Sequence, residues 1–445
     1  MPSADVAIIG AGLAGLATAI RLADGGARVV VLAEGNGALH WAGGPIDVAY
    51  APRTTHPADA LRALERTKRH PYAVLGADVA PALEWFQGLV AAGGLPYVGS
   101  LEAPYGALPT GIGGIRPVSI VPESQAAALQ PWDPGERLVV AGQAGFKDFW
   151  PRAVAGSLSR PQVWSGLSGP ARVDGVAPDW PGLAERRNLN ALRIAEAFDD
   201  PSWRAAALEL TAEAVAATGR GLLRVALPAV LGLRRHPEVL AEAVERLGAP
   251  VIEVPLVPPG IPGIRLHDVL RTALRARGGR ILIGERVARV ETTGRMVTAI
   301  ATAAATRELV TRVGALVLAT GGVAGGGLVG EPEGDIRETI LGLPVEGPPI
   351  GQWLAGDPLD PGSLPIASAG LRTDDALRPI DPDWPRDGPL FDNVRVVGGL
   401  LAGQRVMVER CGDGVALASA WRAAASLSGG PSKPKRAGRK AEAVR

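Results

Sequence analysis

Residues 5–15 read Asp5-Val6-Ala7-Ile8-Ile9-Gly10-Ala11-Gly12-Leu13-Ala14-Gly15, and this stretch decides the fold. Asp5–Ile9 is a mostly apolar run of strand length, and Leu16–Ala23 then reads as a helix with Leu16, Ala19, Ile20 and Ala23 on one face. A second apolar run, Val29–Leu32, follows the pair Gly25-Gly26. Strand, GxGxxG, helix and strand within about 30 residues make a dinucleotide-binding βαβ unit. Gly10 permits the tight turn, Gly12 lets the backbone approach a pyrophosphate, and Gly15 allows close helix–strand packing. Leu13 and Ala14 open the helix, whose free N–H groups and dipole face the anion. An acidic residue is expected about 20 residues on, at the tip of the second strand, to hold a ribose hydroxyl. Ala33 occupies that position and Glu34 comes one place late. A one-residue offset turns a strand side chain to the other face, so the pyrophosphate site is better marked than the ribose site.

Working outward, three further glycine motifs sit at predicted strand ends. Arg265–Arg277 reads as an amphipathic helix leading to a strand, Gly279–Ile283, and then to a hairpin, Val287–Glu291 and Val297–Thr302, about Thr293-Gly294. Ala315–Ala319 is a buried-strand pattern ending in Thr320-Gly321-Gly322. Gly370–Asp374 with Arg378 is the next motif. Val394–Val397 ends in Gly398-Gly399, and Gly412-Asp413-Gly414 opens a helix over Val415–Leu427. Between these halves lie strand candidates Leu138–Ala141, Leu222–Ala226 and Pro250–Val254, with helices at Leu189–Phe198, Ser202–Ala217 and Pro237–Leu247. The pattern predicts an α/β, Rossmann-like protein with a smaller inserted α/β domain. The expected boundaries are 1–130 and 258–428 for the two parts of the dinucleotide-binding domain, 131–257 for the insertion, and 429–445 for a basic, disordered tail.

Bulk properties narrow the chemistry. The 445 residues carry a formal net charge of +1, which gives no sign of a nucleic-acid partner. Cys411 is the only cysteine, so an internal disulfide, a cysteine-based zinc site and a Cys-ligated iron–sulfur cluster are excluded. Electrons must therefore be carried by an organic cofactor or by another chain. No metal site is expected. The apolar start is the βαβ strand and lacks a basic leader, and Ala315–Gly330 falls short of the roughly 20 residues that span a bilayer. The expected location is cytoplasmic, with attachment to the inner membrane open through a partner.

The GxGxxG start, the LATGG strand at Leu318–Gly322 and the terminal strand with its glycine-led helix resemble the flavoproteins of the fumarate reductase and succinate dehydrogenase superfamily. Thr373-Asp374 with Arg378 is similar to that superfamily's GGxxTDxxxR loop, and Glu409–Gly414 stands in the place of its NRLGGN segment. The resemblance implies a two-dinucleotide-binding flavoprotein fold, with a helix N-terminus beside the ring where the reduced flavin gains negative charge. A narrower resemblance, running in order along nearly the whole chain, is to the B subunits of the anaerobic, quinone-linked glycerol-3-phosphate dehydrogenases. It is carried by Gly37–Trp41, Leu108-Pro109-Thr110, Val257-Pro258-Pro259 with Gly263–Leu266, Gly325–Val329, Ile340–Leu343, Thr373–Pro379 and Cys411-Gly412. That family implies one noncovalent flavin, usually FMN, whereas the GxGxxG geometry favours FAD. It also implies two partners: an A-like catalytic FAD subunit and a C-like iron–sulfur membrane subunit. Together they would oxidise glycerol 3-phosphate to dihydroxyacetone phosphate and pass electrons to menaquinone. The chain departs from the family at Gly37–Pro45, where serine hydroxyls are lost, and at Glu409-Arg410 and Asp413, where the family is glycine-rich.

The candidate cofactor-binding residues are Gly10, Gly12, Leu13, Ala14, Gly15, Glu34, His40, Thr320, Gly321, Gly398, Gly412 and Gly414. His40 has three open roles: covalent attachment of flavin as in succinate dehydrogenases, a noncovalent flavin contact, or packing beside Trp41. His56, His70, His236 and His267 show no metal spacing and read as surface or helix residues. Catalytic residues are not identified; the candidates are His40 and Arg116, Arg265, Arg378 and Arg410, arginines in glycine- or proline-bounded loops whose planar forks suit phosphate or carboxylate. The alternative for each arginine is an ion pair pinning a loop. Cys411 reads as filler of a small space beside the flavin. Two other functions stay open: a self-sufficient flavin oxidoreductase of another small acid, and a flavoprotein-fold scaffold without turnover.

Overall fold

The structure is a computed structural model, and it describes residues 3–428 apart from 53, 165–166, 184–187, 304–307, 355, 358–359, 361 and 363. The expected basic tail lies outside the described residues. Ser3–Ile9 forms β1, Leu13–Asp24 forms α1 and Val29–Ala33 forms β2. β1 is central, flanked in parallel by β2 and by Glu308–Leu318. Arg280–Ile283 extends the sheet beyond β2, and Val394–Val396 pairs in parallel with Leu316–Leu318. The predicted hairpin is present as Val287–Thr293 with Met296–Ala303, and it joins antiparallel to the first half of Glu308–Leu318. That strand is twice as long as its apolar signal, because Glu308–Arg312 pairs with the hairpin at an edge where polar side chains reach solvent.

Register places the strand ends together. Ile9 stands opposite Leu32 and Leu318, Ala33 opposite Ile283, and Leu318 opposite Val396. The turns after them, beginning at Gly10, Glu34, Ala319 and Val397, therefore share one carboxyl edge, where open α/β sheets hold ligands. The helix Gly412–Ser428 packs beside α1, and a Cβ on Gly25 at the end of α1 would lie 3.7 Å from Ser428 Oγ. With their ends together, both helices start at that same edge.

A second sheet of four parallel strands runs in the order Val251–Val254, Leu223–Pro228, Arg137–Ala141 and Arg172–Val176, over its own apolar cluster around Trp180, Phe198 and Ile194. The helices Ala191–Phe198, Pro201–Ala216 and His236–Leu247 begin within two residues of their expected starts. Arg172–Val176 had no sequence signal: Asp174 and Gly175 break its apolar pattern, and the carboxylate of Asp174 is held by Arg137 and Arg172. The long helix Tyr72–Ala92 was likewise unmarked, since Pro81 lies inside it and its apolar residues show little sidedness. Helix Ile261–Ala276 starts four residues earlier than its amphipathic pattern, which puts Arg265 inside a helix instead of in a loop.

Candidate functional site

The turn Gly10–Gly15 divides its glycines by role. Gly10 has φ +114°, and a Cβ there would lie 2.1 Å from Ala319 O, so it is required for the turn and for the neighbouring strand end. A Cβ on Gly15 would meet Gly10 O at 2.0 Å, so it is required for packing. Gly12 differs: nothing lies within 4 Å of its Cβ position. It caps α1 without any side-chain hydrogen bond, leaving the first N–H groups, those of Leu13 and Ala14 among them, without a side-chain acceptor. Close by, Thr320 Oγ1 is buried without a partner, at the turn where Gly321 adopts φ +77°. Open space at an uncapped helix start and an orphaned buried hydroxyl fit the pyrophosphate of a dinucleotide. Glu34 stands at the tip of β2, exposed, 3.6 Å from Arg286.

The segment after β2 leans on this turn, since a Cβ on Gly37 would lie 3.2 Å from Gly12 Cα. The short 3₁₀ helix Ala38–Trp41 follows, and His40 Nε2 sits 3.0 Å from Nδ1 of the fully buried His267. Nothing in the sequence marks a partner for His267; its ring meets His40 only through the tertiary fold. Burial, then His40 and Arg271, hold His267 down to about 4, and burial also lowers His40.

A charged cluster lies at the start of the C-terminal helix. The Asp47 N–H donates to Asp413 Oδ2 at 2.9 Å, while the N–H groups of Asp413 and Gly414 donate to Asp47 O at 3.1 and 2.9 Å. Arg116, on the strand Ile115–Val118, pairs with the Asp47 carboxylate. Arg410, at φ +43°, stacks over Tyr50 and donates to Pro117 O. Arg116 thus pairs with Asp47, and Arg410 lies near enough to act on the same carboxylate electrostatically. The free helix start expected there is corrected: its second and third N–H groups are taken by Asp47, and a Cβ on Gly414 would strike Tyr72 Oη at 2.1 Å. Gly414 serves packing, and Gly412 keeps only a neighbouring Val406 at 3.4 Å.

Burial and the nearby Asp47 push the Asp413 carboxyl up to about 7, and burial also raises Asp47 against the pull of Arg116 and Arg410. The unfolded chain releases the Asp413 proton near its ordinary 3.8, whereas the folded chain keeps it to about 7. The stabilising contribution is therefore complete below the unfolded value and is lost as pH rises through the folded one. Asp413→Asn, which keeps an oxygen acceptor for Asp47 N–H, is expected to melt above the parent protein at pH 8, by a margin that narrows at pH 5 and closes only below the unfolded value. Thermal denaturation at both values checks this; an equal difference at each would defeat the assignment.

Several other candidates are engaged elsewhere. Arg265 is buried and bidentate to the fully buried Glu253, at 2.7 and 3.0 Å, so it is a structural ion pair. Arg378 pairs with Asp374 at 2.8 Å, in a loop where Ala376 O accepts from Ser426, far along the C-terminal helix from its start. Gly398 sits at φ +68°, with its N–H on Ser419 Oγ and its O accepting from Gln404, and its Cβ position lies 2.7 Å from Ala14 Cβ. It packs against α1 and has no free group for a ligand. His70 is corrected from the surface-or-helix reading, since it is buried outside any helix; His236 opens its helix and is buried there. His236 Nδ1 donates to Leu231 O at 2.7 Å, and burial lowers the ring to about 4.

His70, Glu409 and Cys411 are buried with their donor atoms within 4.8 Å of one another. His70 Nδ1 accepts the Tyr72 N–H at 3.1 Å, so the proton of the neutral ring is on Nε2, 3.5 Å from Glu409. Burial raises Glu409, yet contacts from His70 and both the N–H and guanidinium of Arg405 outweigh it and hold the acid at about 2. Burial and the adjacent Glu409 push the Cys411 thiol up. Nε2 of His70 thus approaches Glu409 without a hydrogen bond, while Cys411 Sγ donates to Glu409 Oε2 at 3.9 Å. Cys411 is fully enclosed, as its small-space reading expects.

The fold and the anion turn together define an FAD-binding flavoprotein, and residues 5–415 match the family described as FAD binding domain. The chain is 31% identical over 438 residues to the B subunit of anaerobic glycerol-3-phosphate dehydrogenase from Pectobacterium atrosepticum, covering 95% of this chain and 98% of that one. It is 32% identical over 433 residues to the protein named as the probable B subunit of anaerobic glycerol-3-phosphate dehydrogenase in Halobacterium salinarum, covering 94% and 96%. The chain belongs to the family of anaerobic glycerol-3-phosphate dehydrogenase B subunits. Among solved structures, 3-ketosteroid Δ1-dehydrogenase from Sterolibacterium denitrificans is similar at a TM-score of 0.45 and 12% identity, covering 96% of this chain and 100% of that one.

Proposed function

We propose that this chain is the flavin-binding subunit of a glycerol-3-phosphate:quinone oxidoreductase. In this reading glycerol 3-phosphate is oxidised to dihydroxyacetone phosphate, and electrons pass to menaquinone through an A-like catalytic FAD subunit and a C-like iron–sulfur membrane subunit. The observation that carries it is the uncapped start of α1 with open space at Gly12, in a chain that matches proteins named as B subunits over 95% of its length. FAD is the flavin this site fits, through its pyrophosphate, and when bound it would supply two-electron redox chemistry. Leu13 and Ala14 would hold the pyrophosphate with backbone N–H groups, and Thr320 would close that edge with its hydroxyl.

With one cysteine in the chain, a Cys-ligated cluster belongs to a partner. No helix among the described residues is long and apolar enough to cross a membrane, so membrane attachment would come through a partner. Trp41, Ile112 and Val257 are all exposed, on segments brought together by the Gly111 N–H to Pro255 O and the Gly260 N–H to His40 O. An apolar patch at such a junction supports a docked partner. All four strands of the second sheet fall within 131–257, which supports taking that span as the inserted unit.

Heat-released flavin from the purified chain is expected to run with FAD on chromatography, and FMN would overturn the pyrophosphate reading. Deleting the gene should depress quinone reduction by glycerol 3-phosphate in membranes while leaving dye reduction by the A-like subunit partly intact. Unchanged quinone reduction, or strong glycerol 3-phosphate oxidation by this chain alone, defeats the division of labour.

A further inference from the structure

His40 and His267 are held together by backbone contacts on both sides. A Cβ on Gly263 would lie 1.8 Å from Leu39 O, the Gly263 N–H donates to Ala42 O at 3.2 Å, and the Gly260 N–H donates to His40 O at 2.8 Å. The helix carrying His267 is thus locked against the segment carrying His40. The rings meet edge to face at 82°, with Nε2 of His40 and Nδ1 of His267 3.0 Å apart. At that separation one proton lies between the two nitrogens. Burial favours the neutral form of both rings; Arg271 reinforces this, and Asp268 opposes it at His40.

Two arrangements are then available. If His40 donates from Nε2, the proton of neutral His267 must sit on its own Nε2, which is buried and has no partner. If His267 donates from Nδ1, its Nε2 carries only a lone pair. A buried N–H without an acceptor is the rarer and costlier defect, so the second arrangement wins. It leaves the proton of His40 on Nδ1, which has no protein acceptor among the described residues and, on a half-buried residue, is not one of the enclosed atoms.

We propose that His267 is a positioning residue that donates from Nδ1 to His40 Nε2 and thereby fixes His40 as a neutral hydrogen-bond donor, presenting Nδ1–H to an acceptor oxygen or nitrogen of the bound ligand. The ligand half of this rests on reading the edge as the flavin and substrate site; the tautomer half stands without it. Such a donor binds a carbonyl or phosphate oxygen and stabilises negative charge gathering on it.

The test uses the full chain with ¹⁵N-labelled histidine, assigned through His40→Gln and read by long-range ¹H–¹⁵N correlation without ligand. His40 is expected protonated on Nδ1 and bare on Nε2. His267→Asn, whose amide N–H can replace the lost donor, should keep that tautomer, and His267→Leu should convert it fully to the Nε2–H form. Protonation of His40 on Nε2 in the parent protein overturns the proposal, and so does an unchanged tautomer in His267→Leu. If His267→Leu does not fold, the parent and the Asn variant still decide. Adding FAD or FMN, and then glycerol 3-phosphate, locates the acceptor: a shift of the Nδ1–H resonance with flavin places it on the flavin, and a shift only with glycerol 3-phosphate places it on substrate. No shift from either, with flavin retention verified by absorbance, overturns the ligand half. Failure to bind any flavin refutes the proposed function and leaves the tautomer result standing.

Discussion

Gly12→Val should give a folded, colourless protein. At Gly12 the backbone has φ −78° and ψ −175°, an extended conformation open to any L residue, and no atom lies within 4 Å of the added Cβ. The fold therefore accepts the side chain. The space it fills is the approach to the α1 N–H groups, where a pyrophosphate must sit within hydrogen-bond distance. Gly10→Val provides the contrast, because φ +114° and a Cβ at 2.1 Å from Ala319 O strain the backbone and the strand pairing together. The first variant should lose flavin absorbance and melt as the flavin-free parent does, and the second should lose folded protein. Full flavin retention in Gly12→Val would refute the assignment of this turn.

The largest effect on stability is expected at Glu253. Its carboxylate is fully buried, and it accepts from Arg265, from Ser124 Oγ at 2.8 Å and from the Leu231 N–H at 2.8 Å. Burial alone would raise this acid; Arg265 and His236 reverse the direction and hold it below the ordinary range. Glu253→Ala strands a buried guanidinium and should cost about 3–5 kcal/mol. Glu253→Leu combined with Arg265→Met replaces the pair by apolar volume and should recover much of that loss. Urea unfolding of the three proteins measures both, and a single-variant loss below about 1 kcal/mol would show that the pair is solvated. Because the folded carboxyl is depressed, its contribution is present above the unfolded value of about 4.3 and is lost as pH falls through the folded one.

Local signals carried much of this protein. Residues 3–33 encode their own structure, because strand, turn, helix and strand are set by apolar runs and by three glycines whose distinct duties follow from chain geometry. The hairpin about Gly294 and the helices of the second sheet were legible for the same reason: periodicity and turn chemistry act over a few residues. Tertiary structure alone decided which polar groups are free. Arg265 reads as a loop cation, yet it is neutralised by Glu253 from a neighbouring strand; Gly398 and Gly414 read as ligand turns, yet their space is filled by Ala14 and Tyr72. His40 and His267 are 227 residues apart and become one hydrogen-bonded pair only when a helix start docks on the segment after β2. Sequence spacing fixes what a residue can do along its own element. Whether its charge, proton or open face is still available depends on what other elements bring within about 3 Å, and that depends on packing between distant segments.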